Sequence, residues 1–238
     1  MHKILNDFIN FIFPLNCAIC GGRMKGKDVI CNKCFEKIHF VGKKRCKICG
    51  TTIKSGNICK GCRKDLPFFD FVIGCGNYVP PLSGILRLYK YYNRPSLSER
   101  LARLLYSLYS SRGDLKKIKV VTWVPMRAVE LRERGYNQSR LLAEQFASYA
   151  SLKSVSLLKK VRNIPSQTKL SYKERLYNVV GAYKVDEKTI RDLNDDLNEG
   201  IILVDDVITT ASTMNECAKV LKKIGISKVF GMVLAISP

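Results

Sequence analysis

Three groups of residues have types and spacings that could do chemistry. The first is a pair of adjacent carboxylates, Asp205 and Asp206, followed closely by the small, hydroxyl-rich run Thr209, Thr210, Ala211, Ser212 and Thr213. Small residues opening a helix present unpaired backbone N–H groups and the positive end of the helix dipole, which suits a phosphate. The carboxylates beside them suit a hydroxyl- or metal-bearing group attached to that phosphate. The second group is four C-x-x-C pairs: Cys17/Cys20, Cys31/Cys34, Cys46/Cys49 and Cys59/Cys62. A two-residue gap turns both sulfurs of a knuckle toward one metal, and a tetrahedral zinc needs two knuckles. Two structural four-cysteine zinc sites follow; nearest-neighbour pairing is the simplest arrangement, and interleaving stays open. The third group is basic: Arg127, Arg132 and Arg134, beside Gly135, Tyr136, Asn137 and Gln138. Guanidinium groups this close favour an anion among them.

These groups need elements to position them. Ile201–Ile202–Leu203–Val204 is a short apolar, β-branched run, right for a buried parallel strand ending just before the acid pair. Met214, Cys217, Ala218, Leu221 and Ile224 recur at helical spacing, and Gly225 stands at the expected C-cap. Val120–Val124 is a second buried strand, and the loop after it is Pro125–Met126–Arg127. A strand begins at Phe71, Pro80–Pro81 breaks it, and helices follow from Leu82 and from about Ser96 or Ser98 to Ser111. Lys228–Ile236 is the last strand. Alternation of strand and helix gives an α/β fold, a central mostly parallel sheet flanked by helices. Composition shifts at Leu66–Pro67, separating a module of residues 1–66 from an α/β domain of residues 67–238. Within the first, residues 4–13 are spaced as a short amphipathic helix. Lys90 reads first as a solvated lysine and second as a phosphate contact, and Cys75 as buried structure. Residues 159–183 read as a mobile basic loop running into a short helix, and residues 184–199 as an acidic connector without chemistry.

Composition narrows the partners. The chain has 238 residues, with 41 Lys and Arg against 20 Asp and Glu, a formal charge of +21 spread along its length. That balance favours polyanions: nucleic acid, phosphorylated metabolites or an anionic surface. Ten cysteines in a small secreted chain would mean disulfides. Here Asn6, Asp7 and Asn10 interrupt the first apolar run, which is therefore not read as a signal peptide. No run is long enough for a membrane span. The thiols read as metal ligands in a reducing compartment, and the protein as cytoplasmic.

The run Val204-Asp-Asp-Val-Ile-Thr-Thr-Ala-Ser-Thr213 resembles the signature with which type I phosphoribosyltransferases bind 5-phosphoribosyl-1-pyrophosphate (PRPP). The resemblance implies that Asp205 and Asp206 hold the ribose hydroxyls while the amides of residues 209–213 cradle the 5′-phosphate. It also implies that the loop Pro125–Met126–Arg127 takes the pyrophosphate. That family usually has Gly where Ala211 stands; if the position needs positive φ, Ala costs about 1 kcal/mol. Arg162, Gln167, Leu170, Arg175 and Asn178 follow the pattern of the loop that closes over PRPP in amidophosphoribosyltransferases. Arg162 and Arg175 then join the acid pair as catalytic candidates, and Gln167 as a PRPP contact.

With the cysteine knuckles, Lys90–Tyr91 and the run Arg132-Glu-Arg-Gly-Tyr-Asn-Gln138 in the same order, the chain resembles the ComF competence proteins along nearly all its length. This implies a type I phosphoribosyltransferase fold carrying a small N-terminal zinc ribbon, two structural Zn ions, and Mg with PRPP. It further implies single-stranded DNA as a partner during natural transformation, together with a DNA-translocating helicase-like protein. Phosphoribosyl transfer to an unknown acceptor is the alternative activity.

Overall fold

The computed structural model describes residues 16–24, 28–42, 44–162, 179–190, 193 and 196–237. The expected helix over residues 4–13 and the candidates Gln167 and Arg175 lie outside the described residues.

At its centre is a sheet of five strands, all parallel. They are β1 (Phe71–Asn77), β2 (Val120–Trp123), β3 (Lys153–Ser154), β6 (Ile201–Ile208) and β7 (Val229–Ile236), in the order β1-β7-β6-β2-β3. Both faces are covered, so the inner strands read as continuous apolar runs, and every residue of β2 and β7 is buried. Three helices cover one face: α3 (Leu82–Tyr91), α4 (Leu97–Ser110) and α6 (Gln138–Ala150). The other is covered by α8 (Ser212–Lys223) and by an antiparallel ribbon of β4 (Leu158–Lys160) and β5 (Tyr183–Val185). Among the described residues there are also the short α-helices α1 (Asn32–Glu36), α2 (Lys60–Lys64), α5 (Ala128–Arg134) and α7 (Glu187–Ile190).

Two details of the sequence reading change. The strand carrying the acid pair does not stop at Val204. β7 continues alongside it, pairing Val207 with Ala235 and Ile208 with Ile236, so Asp205 and Asp206 lie inside β6. The segment around Arg132 forms a separate helix, α5, which Gly135 ends at φ 82°. Helical periodicity is hard to see there because none of its residues is buried.

The cysteine-rich segment is docked on the edge strand β1. Val72 donates its N–H to the carbonyl of Ile48 (2.6 Å), and Val41 donates to that of Cys75 (3.1 Å). An otherwise open sheet edge is thereby capped. Gly50 permits the approach: its φ is 71°, and an added Cβ would stand 2.9 Å from the carbonyl oxygen of Val72. Cys17, Ile30, Cys34 and Ile38 join the same buried cluster as Leu82, Leu101 and Phe146. The module therefore shares a core with the α/β unit.

Candidate functional site

The cysteines gather as two groups, Cys17, Cys20, Cys31, Cys34 and Cys46, Cys49, Cys59, Cys62, so nearest neighbours pair. Bonds of about 2.3 Å at tetrahedral angles place sulfurs about 3.8 Å apart. The separations are 3.7 Å for Cys17–Cys34, 3.8 Å for Cys20–Cys31 and 3.7 Å for Cys49–Cys59. Both groups thus fit a structural zinc ion. Backbone N–H groups point at the ligand sulfurs: Cys31 donates to Cys17 Sγ and Cys59 to Cys46 Sγ, each at 3.4 Å. Burial opposes the thiolate, yet the amides around Cys17 and Cys46 outweigh it and bring them down to about 6 and about 7. Gly21 and Gly50 follow their knuckles at φ 70° and 71°, as a tight turn after each pair requires.

The acid pair and the hydroxyl run lie at the carboxyl end of the sheet, where ligands of parallel α/β proteins bind. β2 and β6 are paired neighbours, with Trp123 opposite Val204, so Pro125–Arg127 and Thr209–Thr213 leave the same end of the sheet. Ala211 stands at φ 61° as the N-cap of α8, and the Thr210 and Ser212 hydroxyls are 2.7 Å apart. A cavity of about 40 Å³ is lined by Asp205 and residues 207–214. The backbone therefore adopts the left-handed turn for which Gly would be the relaxed choice.

Adjacent strand residues project to alternate sides, and the two carboxylates take different partners. Asp205 Oδ1 accepts the Ser139 hydroxyl at 2.8 Å. Asp206 Oδ2 is 2.8 Å from Lys90 Nζ, at the end of α3. Burial, with the charge of Asp206 second, pushes Asp205 up to about 7. Desolvation opposes the Lys90 ammonium, but Asp206 outweighs it and holds Lys90 above its ordinary value. This corrects the first reading of Lys90: it is a half-buried partner of Asp206, with a side chain 21% exposed, and not a solvated lysine.

Much of the arginine-rich run is engaged elsewhere. Arg134 donates to Gln138 Oε1 (2.9 Å) and lies over the Tyr91 ring. The Tyr136 hydroxyl donates to the Tyr89 carbonyl, and the Tyr89 hydroxyl to that of Gln138 (3.0 Å). Asn137 caps α6 by accepting from Arg140 N, and it donates to the Val124 carbonyl (3.2 Å). These side chains tie α3 to α6 and to the end of β2, and none of them lines the small cavity beside Asp205. Pro125 is buried, Met126 and Arg127 are half-buried, and Arg132 is exposed. Arg162, just past β4, donates to the Val180 carbonyl (2.9 Å), so the two ends of the segment read as a closing loop lie together.

Sequence reasoning missed Ser139, Glu130 and Lys160. Glu130 accepts from Arg127 N (3.0 Å) and from Lys160 Nζ (3.1 Å), bracing the loop after β2. Burial works against its charge, but the Arg127 amide and Lys160 outweigh it and hold its pKa below the ordinary value. Arg127 offers no side-chain acceptor for a capping box, so Glu130 three residues later was not a readable helix start, and nothing local marked Ser139, 66 residues before Asp205.

The fold and sites define a class: a parallel α/β protein with a helix-capping hydroxyl loop, fused to paired cysteine knuckles. The family model for the double zinc ribbon domain matches residues 8–68. Competence protein F of Haemophilus influenzae is 30% identical over 227 residues, covering 93% of this chain and 96% of that protein. The chain belongs to the competence protein F family. The DNA utilization protein YhgH of Salmonella typhimurium is 29% identical over 77% of this chain and 80% of its own, and that of Escherichia coli K12 is 27% identical over 84% and 87%. Among solved structures, an allosteric regulatory enzyme of purine biosynthesis matches 62% of this chain and 29% of its own, at 18% identity and a TM-score of 0.39. That likeness is too weak to define the fold, which rests on strand order and direction. Among the described residues, no helix is long and apolar enough to cross a membrane.

Proposed function

We propose that this protein binds PRPP with Mg²⁺ at the carboxyl end of β6 and acts on single-stranded DNA in the cytoplasm during DNA uptake. The observation that carries the reading is the turn at Ala211, φ 61°, which opens α8 directly beyond Asp205 and Asp206. The backbone amides of residues 209–213 take the 5′-phosphate, and Asp205 and Asp206 take the ribose hydroxyls. Pro125, Met126 and Arg127 meet the pyrophosphate; Arg132, Gln167, Arg162 and Arg175 supply further polar contacts. Arg134, Tyr136, Asn137 and Gln138 act by holding α3, α6 and the loop after β2 in place. The oxygen donors of Asp205 and Asp206 suit a Mg²⁺ that would arrive on the substrate's phosphates. Bound there, the ion neutralises phosphate charge.

The DNA role is supported by the formal charge of +21 and by the names of the relatives, a competence protein and DNA utilization proteins. A DNA-translocating helicase-like protein is the partner this role implies. A second reading, phosphoribosyl transfer with release of pyrophosphate, is favoured by an acid pair in which Asp205 sits at about 7. Titrating a single-stranded oligonucleotide at several salt concentrations, with and without Mg-PRPP, tests the first reading. Affinity should fall steeply with salt and shift when PRPP is present; a flat response to salt overturns the DNA role. Pyrophosphate release that Asp205→Asn with Asp206→Asn abolishes establishes the second; PRPP binding without release across candidate acceptors rejects it.

A further inference from the structure

A second cavity, of about 280 Å³, is lined by Lys90, Tyr91, Asn93, Glu130, Glu133 and Arg134. Its wall touches both halves of the proposed site: Lys90 is bound to Asp206, and Glu130 braces the amide of Arg127. The volume lies just below the usual range for ligand pockets and is enough for one ring system.

The lining separates into committed and free groups. Lys90 is held by Asp206, Glu130 by Lys160, and Arg134 by Gln138 and the Tyr91 ring. Glu133 and Asn93 have no side-chain partner among the described residues, and both are exposed. Asn93 is held at φ 49°, where Asn is among the few side chains tolerated. Tyr91, 60% exposed, offers an aromatic face already covered on one side by a guanidinium. The free functions are thus one carboxylate, which only accepts, and one amide, which both donates and accepts.

We infer that this cavity receives a nucleobase bearing an exocyclic amino group, of the cytosine type, placed against Tyr91 with its amino group on Glu133 and its ring polar edge on Asn93. A carboxylate accepts from the cytosine N4 amino group. Uracil has a carbonyl oxygen there and faces the carboxylate with a lone pair. The base is either free, and then the acceptor of the phosphoribosyl group, or an unpaired base of a single strand. The acceptor role rests on the phosphoribose reading above; base binding rests on the cavity alone.

The test is calorimetric titration of the full chain with cytosine and with uracil, first without PRPP and then with Mg-PRPP. Oligo-dC and oligo-dU form parallel arms. Cytosine should bind at least about tenfold more tightly than uracil, the discrimination of one good base contact. Glu133→Gln should erase that preference. Asn93→Gly, which keeps the left-handed backbone, should weaken cytosine severalfold. Preference in the free bases alone makes the site an acceptor pocket, and preference in the oligonucleotides alone makes it a strand pocket. Absence of any preference in both the free-base and the oligonucleotide arms, or a preference that survives Glu133→Gln, overturns the inference. If PRPP binds and neither cytosine nor oligo-dC is preferred, only this inference falls; if the preference is found and PRPP does not bind, the cavity stands and the phosphoribose reading falls.

Discussion

The zinc module and the acid-pair site are built by opposite strategies. Each zinc site draws its four ligands from fewer than twenty consecutive residues, so chain spacing nearly fixes its geometry. The acid-pair site draws Lys90 from α3, Ser139 from α6, Asp205 and Asp206 from β6, and its loop from the start of α8. The first needs a metal to hold a small segment together. The second needs the whole sheet, and it gathers charges that are costly to bury unless paired. One site makes local order, and the other consumes order made elsewhere.

The sharpest way to test the contrast is to remove the zinc. Structural zinc contributes on the order of 10 kcal/mol to such modules. Chelation, or Cys46→Ser, should therefore melt the ribbon, and metal analysis should find two zinc ions per chain beforehand. Because the module caps β1 and shares a core with α3 and α4, the α/β unit should also lose thermal stability. An unchanged melting temperature after full chelation would separate the two regions.

Next in size is Asp206→Ala, which strands the Lys90 ammonium. Breaking a mostly buried pair costs about 3 kcal/mol, read by chemical denaturation, and Lys90→Met combined with it should restore part of the loss. The Cys sites should keep their zinc in both variants.

The pH response comes third. Asp205 keeps its proton up to about 7 when folded but loses it near 3.8 when unfolded. The folded state therefore binds more protons between those values. This contribution to stability is full below 3.8 and is lost as pH rises through about 7. Asp205→Asn should flatten that decline in denaturation curves taken across the window. An Asp205→Asn curve that runs parallel to the wild type across that window would remove Asp205 from the account.

Smallest is Ala211→Gly, which relieves the left-handed backbone at φ 61° and should stabilise the fold by up to about 1 kcal/mol. A destabilising effect would mean that the Ala211 methyl contributes packing worth more than the strain.

What could be read in advance follows from the same contrast. Cysteine knuckles, the β-branched strands and the apolar stripe of Met214, Cys217 and Leu221 are local patterns, and the structure bears them out. The positive φ at Ala211 was also legible, through the glycine that usually stands there. The fate of Lys90 was not, because a lysine at a helix end looks solvated until the sheet brings Asp206 to it. Nor was the framework role of Tyr136 and Gln138, whose partner Tyr89 lies far away in the chain. The short strands β3, β4 and β5 escaped for a third reason: two or three residues are too few to show a period.

The most direct measurement is calorimetry of Mg-PRPP with the zinc-loaded wild-type chain and with Asp205→Asn combined with Asp206→Asn. The account predicts one site per wild-type chain, with binding lost in the double variant while two zinc ions remain bound. Equal binding by both proteins, or none by the wild type, would contradict it.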